Sequence, residues 1–550
     1  MLKCTAQQKL AITSPLDKHT VVVAGPGSGK TWTISQRVKY MLKKVLPANI
    51  VVLSFTRKAA EEILSRTNSE VTCSTFHSFA LSVAKEYPNN FKKKKILGQA
   101  DQQDLMEISI NKLGTNVSSD KMVQGLSWQR NTGSRHYSYG GKAEDVQKTL
   151  TDYNKQKISQ GYSDFDDILV DLDKELSNKV FCSQLARKYK YILVDEFQDI
   201  NPLSWSILKK LVEYGVVLYV VGDPAQAIYG FRGSDCSTIL NFTKLLPANK
   251  IILDTNFRST QLILNASNAV INDSEIAYNR NMVGIKGDGK LPYVMSFGSR
   301  QAETHFIAKN IKDPEQTMVI IRTTFDAADF ETAFIQQGVP YTYVGGQSLL
   351  NNAHVQDYVA FLKASQSNDH LSWYRFLKLL PGIGDVTATK LLPFVGTNQI
   401  PAAAKVLIDA IKKSPTPVKS GIPLLENVLR SKYPKNFEKV LKDLRKLPEV
   451  SVNSLEQQKS DKETGGCLLI TAHSSKGMER DTVFVSKAQP GSFPHYRGEL
   501  EEERRLLYVA MTRARTLLVL TRVADSRKQE GQDFLDIDKS LISSHTIRRS

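Results

Sequence analysis

Short apolar runs that each lead into a polar or glycine-rich turn recur along this sequence. In the first half they are TVVVAGPGSGK from Thr20, NIVVLSFT from Asn49, YILVDEFQD from Tyr191 and VVLYVVGD from Val216. A run that is apolar on both faces is typical of a strand buried on both sides of a parallel sheet. The pattern therefore predicts a doubly wound α/β domain.

A second series of apolar runs predicts a second α/β domain. Its members are MVIIRT from Met318, CLLITAHS from Cys467, DTVFVS from Asp481 and TLLVLT from Thr516. One lysine-rich region of helical tendency interrupts each of the two series of apolar runs. The last ~25 residues have the character of a frayed tail. The predicted organisation is residues 1–80 and 164–250 for the first domain, 81–163 for a helical insertion, 251–375 and 463–525 for the second domain, 376–462 for a short second insertion, and 526–550 for the tail.

The net charge points to a polyanionic partner. Among 550 residues, 73 Lys and Arg outnumber 56 Asp and Glu, which gives a formal charge of +17. Nucleic acid is the leading candidate, although a lysine-rich genome would also produce a basic protein of another function.

The cysteines and the hydropathy of the chain exclude several classes of protein. The five cysteines are scattered and form no CxxC pair, which argues against a zinc ribbon, an iron–sulfur cluster or a disulfide framework. The sequence has neither the apolar segment of a signal peptide at its start nor the roughly 20 apolar residues that span a bilayer. We therefore expect a soluble intracellular protein in a reducing compartment, without a membrane partner.

The turn after the first predicted strand, AGPGSGKT at residues 24–31, has the composition of a phosphate-binding loop. Glycines let backbone N–H groups surround phosphates, and the N-terminus of the following helix adds positive potential. Lys30 can neutralise the outer phosphates, and the Thr31 hydroxyl can bind Mg²⁺. The alternative is a glycine-rich turn without a ligand.

Adjacent carboxylates follow the YILV strand. Asp195 can hold Mg²⁺ through water, and Glu196 can accept the proton of an attacking water as a general base. An isolated acidic pair is usually a solvated surface. The apolar strand before this pair and the phosphate loop earlier in the chain favour an ATPase instead.

Beyond these two sites, the sequence resembles the UvrD/Rep/PcrA family of superfamily 1 helicases. The matching segments, in chain order, are QKLAI from Gln8, SFTRKAAEEI from Ser54, STFHSF from Ser74, DEFQD from Asp195, GDPAQAIYGFRG from Gly222, TNFRST from Thr255, TAHSSKGMERDTVFV from Thr471, GSFP from Gly491 and EEERRLLYVAMTRAR from Glu501. The family resemblance implies two RecA-like parallel-sheet domains with two mainly helical inserted subdomains.

The resemblance implies that ATP binds with Mg²⁺. Gln8 would read adenine, Phe257 would stack on the base, and Glu479 would lie near the sugar. The implied catalytic residues are Lys30, Asp195, Glu196, the γ-phosphate sensor Gln226, and the arginine fingers Arg258 and Arg513 from the second α/β domain. The implied phosphate loop comprises Ala24, Gly25, Pro26, Gly27, Ser28, Gly29, Lys30 and Thr31, followed by Trp32 where the family commonly has arginine. Thr31 and Asp195 would hold the metal.

The resemblance also implies a track for DNA. Its candidate residues are Phe55, Arg57, Thr75, His77, Tyr229, Phe231 and Arg232 for single strands, and Gly382 and Gly384 in PGIGDVTATKLL for duplex phosphates. The alternatives are that Tyr229 and Phe231 fill a core, that His77 is structural, and that the two glycines end a helix. The segment SRHYSYGGK from Ser134 interleaves basic and aromatic residues and could guide a strand.

Together these features predict an ATP-dependent 3′→5′ DNA helicase acting in replication, repair or recombination. Its partners would be single-stranded DNA and junctions of single- and double-stranded DNA, and the protein would be a monomer or a transient dimer. One alternative is a single-stranded DNA translocase that strips bound proteins with little unwinding. A DNA-binding scaffold with a dead ATPase is disfavoured because the catalytic residues are all present. Cytoplasm or nucleoid is the expected location, with a nucleus, an organelle or a virus-infected cell as alternatives.

Overall fold

The chain folds into two compact units. The structure, a computed structural model, describes residues 4–67, 70–134, 136–274, 281–346, 348–397, 399–452, 455, 465–524 and 532–547. Unit 1 comprises Met1–Arg258 and Ser274–Lys286, and unit 2 comprises Ser259–Asp273 and Gly287–Ser550. Within the described ranges, no helix is long and apolar enough to cross a membrane.

A parallel sheet forms the centre of unit 1. The strands described in this unit are β1 (His19–Ala24), β2 (Ile50–Ser54), β3 (Thr72–Thr75), β4 (Lys95–Ile96), β5 (Tyr162–Ser163), β6 (Tyr191–Val194), β7 (Val217–Gly222), β8 (Ala248–Leu253), β9 (Thr255–Asn256) and β10 (Val283–Gly284). Six of them join in the order β3–β2–β6–β7–β1–β8, and every neighbouring pair is parallel.

Helices cover both faces of this sheet. The helices described in unit 1, including α5 to α7 of the first insertion, are α1 (Ala6–Thr13), α2 (Lys30–Met41), α3 (Arg57–Thr67), α4 (Phe76–Glu86), α5 (Gln99–Leu113), α6 (Ser119–Thr132), α7 (Ala143–Ser159), α8 (Asp167–Glu175), α9 (Lys179–Lys188), α10 (Pro202–Val212), α11 (Ser237–Leu240) and α12 (Phe242–Leu245). Alternate residues of β2 enter different cores: Val51 and Leu53 pack into one, and Ile50 and Val52 into the other. The two-residue period of a strand explains this division and why the runs are apolar throughout.

The first insertion has a hydrophobic core of its own. Residues of α5, α6 and α7, with Leu97 and Tyr139, form a separate buried cluster. β4 and β5 pair in parallel where the insertion leaves and rejoins the core of unit 1. The insertion begins later than the expected residue 81, because α4 continues to Glu86 and its Val83 packs into the core beside the sheet.

Buried charges join this insertion to the core. The Asp164 carboxylate, which is fully buried, accepts from Arg130 at 2.6 Å, from Lys157 at 2.7 Å and from the Tyr153 hydroxyl at 3.0 Å. Asp167, at the start of α8, contacts Lys157 at 2.6 Å and Arg130 at 3.3 Å. Two cations therefore face two anions, which limits the cost of removing all four from water.

The pKa of Asp164 records this balance. Burial alone would raise the pKa, but Arg130 and Lys157 outweigh burial and lower it from 3.8 to about 2. Because the pKa is lower in the folded chain than in the unfolded one, the carboxylate stabilises the fold above pH ~4, and this contribution is lost as pH falls towards ~2.

Unit 2 contains a second parallel sheet. Its described strands are β11 (Tyr293–Phe297), β12 (Thr317–Ile321), β13 (Tyr341–Val344), β14 (Cys467–Thr471), β15 (Arg480–Val485), β16 (Ala514–Val523) and β17 (Ser543–Ile547). They join in the order β13–β14–β12–β15–β16–β11–β17. The helices described in this unit are α13 (Gln261–Asn272), α14 (Arg300–Asn310), α15 (Ala327–Gln337), α16 (Ala353–Ala364), α17 (His370–Leu377), α18 (Asp385–Leu391), α19 (Ala402–Lys412), α20 (Pro417–Lys432), α21 (Phe437–Arg445) and α22 (Leu500–Met511). The predicted parallel α/β class is confirmed in both units.

The second insertion has no separate core among the described residues. Leu425 of α20 and Val440 of α21 belong to the same buried cluster as Phe330 of α15 and Val359 of α16. Much of the expected insertion, residues 376–462, therefore packs as part of unit 2, while 453, 454 and 456–462 lie outside the described residues.

Two expected boundaries differ from the structure. The first unit continues past residue 250, because β8 pairs with β1 and the chain to Arg258 stays with unit 1. The segment expected to be a frayed tail contains β17, which pairs in parallel with β11, and the buried side chains of Phe534 and Leu535. Nonlocal strand pairing and burial hold this segment, and the short polar run SSHTI gives little sign of either.

We expect Asp164→Asn to lower the free energy of unfolding of unit 1 by ~3 kcal/mol, because the change leaves buried cations without their carboxylate. Urea denaturation followed by circular dichroism measures the loss. Glu144→Gln is the matched control: it breaks the exposed i,i+4 pair with Lys148 and should leave the midpoint nearly unchanged. Equal stability of Asp164→Asn and wild type would show that the buried pairs do not stabilise the unit.

Candidate functional site

The phosphate loop lies between β1 and α2 and depends on glycine at two backbone positions. Gly27 and Gly29 have φ angles of 65° and 79°, in the left-handed region that side chains disfavour. A Cβ at Gly25 would lie 2.4 Å from Met282 Sδ. Gly27 and Gly29 therefore permit the backbone path of the loop, and Gly25 leaves room for the Met282 side chain. This backbone path leaves N–H groups at the start of α2, where an anion is favoured.

A second segment is hydrogen bonded to this loop. Asn256 Nδ2 donates to Pro26 O at 2.6 Å, and Phe257 N donates to Gly27 O at 2.8 Å. A Cβ at Gly27 would lie 2.6 Å from Arg258 Cβ. The structure thus brings Phe257 and Arg258 to the phosphate loop. Arg258 ends the first range of unit 1 and directly precedes Ser259, where unit 2 begins, so its assignment to the second α/β domain stays a prediction.

Gln8 is held on the same side of unit 1. Its Nε2 donates to Ser28 O at 3.1 Å, and its Oε1 accepts from Thr5 N at 3.1 Å in the N-terminal cap of α1. The side chain is buried and fixed against the phosphate loop. Trp32, in the first turn of α2, is half-buried. Adenine reading by Gln8 stays a prediction.

Lys30 and Thr31 open α2. Lys30 Nζ donates to Ala24 O at 3.4 Å, so the ammonium lies over the loop. Both side chains are half-buried and belong to the first turn of the helix. A glycine-containing loop, a lysine that lies over it and a hydroxyl at the start of the helix are the groups that bind a nucleoside triphosphate with Mg²⁺.

A glutamine side chain connects the acidic pair to the end of the next strand. Gln198 Nε2 donates to Glu196 Oε2, and Gln198 Oε1 accepts from Asp223 N at 2.8 Å. Asp223 Oδ2 in turn accepts from Gln226 Nε2 at 2.6 Å. The predicted base Glu196 and the predicted sensor Gln226 are therefore joined through Gln198 and Asp223.

Buried Asp195 sits at the carboxyl end of β6, where its backbone N–H donates to Leu53 O at 2.8 Å. The next residue, Glu196, adopts a left-handed conformation with φ 52° and ψ 44°, and its N–H donates to Asp195 Oδ1 at 3.0 Å. A non-glycine residue in this region stores local strain, a feature that clusters at functional sites.

A cavity of about 830 Å³ adjoins these acids and contains most of the predicted DNA residues. Its lining from the core of unit 1 includes Phe55, Thr75, His77, Asp195, Glu196, Tyr229, Phe231 and Arg232. The Phe55 and Tyr229 rings stack with centroids 5.0 Å apart, and the Arg232 guanidinium lies over Tyr229 at 5.4 Å. Phe231 is 57% exposed, so it does not fill a core. Stacked aromatics beside an arginine suit single-stranded nucleic acid.

His77 stacks on another aromatic ring in this cavity. The His77 and Phe165 centroids are 4.0 Å apart, and His77 Nε2 is buried with no hydrogen-bond partner among the described residues. Burial lowers the pKa of His77 from 6.5 to about 4. The imidazole is therefore neutral at pH 7, and it offers a ring face instead of a cation.

Other predicted residues lie away from this cavity. Arg57 is exposed at the start of α3 and is not part of the lining. In unit 2, Arg513 is buried, with Nε donating to Val509 O at 2.8 Å, and Glu479 pairs with Arg515 at 2.9 Å. Gly382 and Gly384 border the turn before α18, where a Cβ would meet nothing within 4 Å. Their roles stay predictions.

Comparison with known proteins agrees with this geometry. Residues 4–247 match the UvrD/REP helicase N-terminal domain, and residues 251–419 and 418–525 match the UvrD-like helicase C-terminal domain. The chain is also similar to the ATP-dependent DNA helicases PcrA of Staphylococcus epidermidis and Staphylococcus aureus, each 28% identical over 96% of this chain and 85% of the relative.

The chain belongs to the UvrD/REP helicase family. As a member of that family it is an ATP-dependent DNA helicase.

Several residues of this UvrD-type helicase that the structure brings to the site carried little or no sequence signal of their own. Gln198 lay inside the DEFQD segment, next to more obvious acids. Asn256 lay inside the TNFRST segment, directly before Phe257, to which the contact with the base was assigned. Phe165 and Trp128 line the cavity from the segment around α8 and from α6, where no motif marked them. Tertiary packing brings both rings to the cavity, and a local pattern does not record such packing.

We expect Gln198→Glu to lower kcat of DNA-stimulated ATP hydrolysis by this helicase at least ~10-fold, with a smaller change in KM for ATP. The new carboxylate cannot donate to Glu196 and would repel it, so the base and Asp223 lose their fixed relation. Steady-state kinetics with saturating single-stranded DNA gives both constants. The exposed Gln184→Glu on α9 is the control with the same change of charge. An unchanged kcat in Gln198→Glu would exclude this positioning role.

A second expectation concerns pH. The unfolded chain binds a proton at His77 below pH ~6.5, whereas the folded chain does so near pH 4, so folding stability due to this residue is lost as pH falls between these values. Relative to His77→Phe, which keeps the ring face, wild type should lose about 1–2 kcal/mol between pH 7 and pH 5. Urea denaturation at both pH values measures the difference. Exposed His136→Phe is the control, and parallel pH profiles for wild type and His77→Phe would refute the expectation.

Proposed function

We propose that this helicase translocates 3′→5′ on single-stranded DNA with ATP and Mg²⁺, and unwinds duplexes at junctions of single- and double-stranded DNA during replication, repair or recombination. Membership in the UvrD/REP family supports the polarity, and PcrA, the ATP-dependent DNA helicase of two staphylococci, supports the reaction. The observation that carries the proposal is the hydrogen-bonded connection from Glu196 to Gln226, a few residues before aromatic Tyr229.

Binding of the nucleotide would use groups of the phosphate loop. The N–H groups at the start of α2 and the Lys30 ammonium would hold the phosphates, and Phe257 would stack on the base from the segment bonded to Gly27. Thr31 and Asp195 would hold Mg²⁺, which neutralises charge on the β- and γ-phosphates when bound. Gln8 would contact adenine from α1.

Hydrolysis would need a base, a sensor and added positive charge. Glu196 would accept the proton of the water that attacks the γ-phosphorus. The hydrogen bond from Gln198 Nε2 would keep the Glu196 carboxylate oriented for this step. Gln226 would exchange its bond to Asp223 for a γ-phosphate oxygen. Arg258 and Arg513 would stabilise the charge that develops in the transition state.

The same short segment would transmit the state of the nucleotide to DNA. Residues 223–226 contact the acidic pair through Gln198, and residues 229–232 line the cavity that also contains Phe55. A change in the bonds of Gln226 would therefore act on a turn whose aromatic side chains stack with nucleotide bases. Arg232 would contact a phosphate, and Gly382 and Gly384 would approach the duplex.

A single-stranded DNA translocase that strips bound proteins is the second candidate. The observation that favours it is the shared core of α15, α16, α20 and α21, which makes the second insertion part of unit 2. An insertion packed in this way has less freedom to engage a duplex by moving separately. The two functions would use the same ATPase residues and differ in the opening of base pairs.

Unwinding of duplexes with a 3′ or a 5′ single-stranded tail tests the proposal. We expect opening of the 3′-tailed duplex alone, and we expect Lys30→Ala to reduce hydrolysis and unwinding by at least ~100-fold, because the outer phosphates lose their cation. Lys44→Ala, at an exposed lysine beyond the end of α2, is the control. Opening of the 5′-tailed duplex alone would reverse the polarity. Single-strand-dependent hydrolysis without any opening would favour the stripping translocase.

A further inference from the structure

We propose that Trp128 of the first insertion stacks on a base of single-stranded DNA, so that the insertion forms a second base-binding wall of the cavity. This inference rests on the proposed function, because it takes the same strand as its ligand. Trp128 lies near the end of α6, is half-buried and lines the cavity together with Phe55, Tyr229 and Phe231. Aromatic rings on different elements thus face one space of about 830 Å³.

An aromatic loop fixes one side of Trp128. The centroid of Tyr137 lies 5.9 Å from that of Trp128 and 4.9 Å from that of Tyr139. This loop approaches α6 closely: a Cβ at Gly125 would lie 2.3 Å from Tyr139 and 2.6 Å from Tyr137. The part of SRHYSYGGK around Tyr137 therefore supports Trp128, while Arg135 lies outside the described residues.

The end of α6 is also fixed to the core of unit 1. Asn201 Nδ2 donates to Asn131 Oδ1 at 2.9 Å, and Asn131 Nδ2 donates to Asp166 Oδ1 at 3.1 Å. A Cβ at Gly233 would lie 2.6 Å from Thr132 Cγ2, so the turn that carries Tyr229 and Arg232 packs directly on this end of the helix. Trp128 is therefore held in a set relation to that turn.

The chemistry of this wall favours bases over phosphates. The insertion contributes mainly neutral amide and hydroxyl groups to the lining, from Gln99, Gln102, Gln124 and Ser127. Such groups exchange hydrogen bonds with base edges, whereas phosphates are bound by cations such as Arg232. The indole of Trp128 offers a face on which any base can stack, and the amides around it can form hydrogen bonds with the edge of that base.

Binding of oligo(dT) of about 15 nucleotides to the full chain tests the proposal. We expect the oligonucleotide to quench tryptophan fluorescence in wild type and in Trp205→Phe. In Trp128→Phe most of this quenching should be absent. Trp128→Leu, which keeps apolar bulk without an aromatic face, should raise Kd about 10-fold, as expected for one lost stack. Trp128→Phe should stay within ~3-fold of wild type, because phenylalanine keeps a face.

Two further variants separate this inference from the proposed function. Tyr229→Leu should weaken oligo(dT) binding if the cavity binds a single strand, and Tyr214→Ala, which removes an exposed ring outside the cavity, should not. Weak binding by Tyr229→Leu together with full binding by Trp128→Leu overturns the inference and leaves the proposed function intact. Equal loss in Trp128→Phe and Trp128→Leu, or quenching that persists in Trp128→Phe, also overturns it. Absence of binding in wild type overturns both.

Discussion

The Gln198 amide spans the ends of two neighbouring parallel strands, and the candidate site depends on this contact. Its nitrogen holds Glu196 after β6, and its oxygen holds the Asp223 backbone after β7. The contact needs glycine at the end of β7, because a Cβ at Gly222 would lie 2.5 Å from Gln198 Oε1. Strand order extends the arrangement: β3 and β2 lead to Thr75 and Phe55 on one side, while β1 leads to the phosphate loop on the other. Along the carboxyl ends of these strands, the predicted DNA-binding residues are thus followed by the predicted ATP-binding residues.

Different interactions attach the two insertions to their units. The first has its own apolar cluster and is joined to the core of unit 1 by the desolvated charges around Asp164. Charged pairs of this kind restrict geometry, because each buried group must keep its partner. A connection of this kind suits an insertion whose aromatic rings line the cavity in fixed positions. The second insertion shares an apolar cluster with unit 2, and nondirectional packing secures it there.

The sequence predicted eight of the 13 strands described in the two large sheets, and the chemical segments that follow several of them, because both signals are local. Apolar runs on both faces mark buried parallel strands, and residues 24–31, 195–196 and 223–226 follow such runs directly. It did not predict β17, whose pairing with β11 is nonlocal, or the contact of α4 with the sheet. Trp128 and Phe165 reach the cavity through packing of α6 and the segment before α8, which no short pattern encodes. The roles of individual site residues stay predictions from the family resemblance.

The two arginines assigned to the γ-phosphate are held in different ways. Arg258 belongs to unit 1, where the preceding residues bond to Pro26 and Gly27 of the phosphate loop. Arg513 belongs to unit 2, where the backbone oxygens of Val509 and Met478 accept from its guanidinium. Those bonds fix the long side chain of Arg513, which lowers the side-chain entropy that any further contact of its guanidinium would cost. The hydrogen bonds beside Arg258 thus fix the backbone that carries it, whereas those of Arg513 fix the guanidinium itself, so a different part of each arginine is held in place.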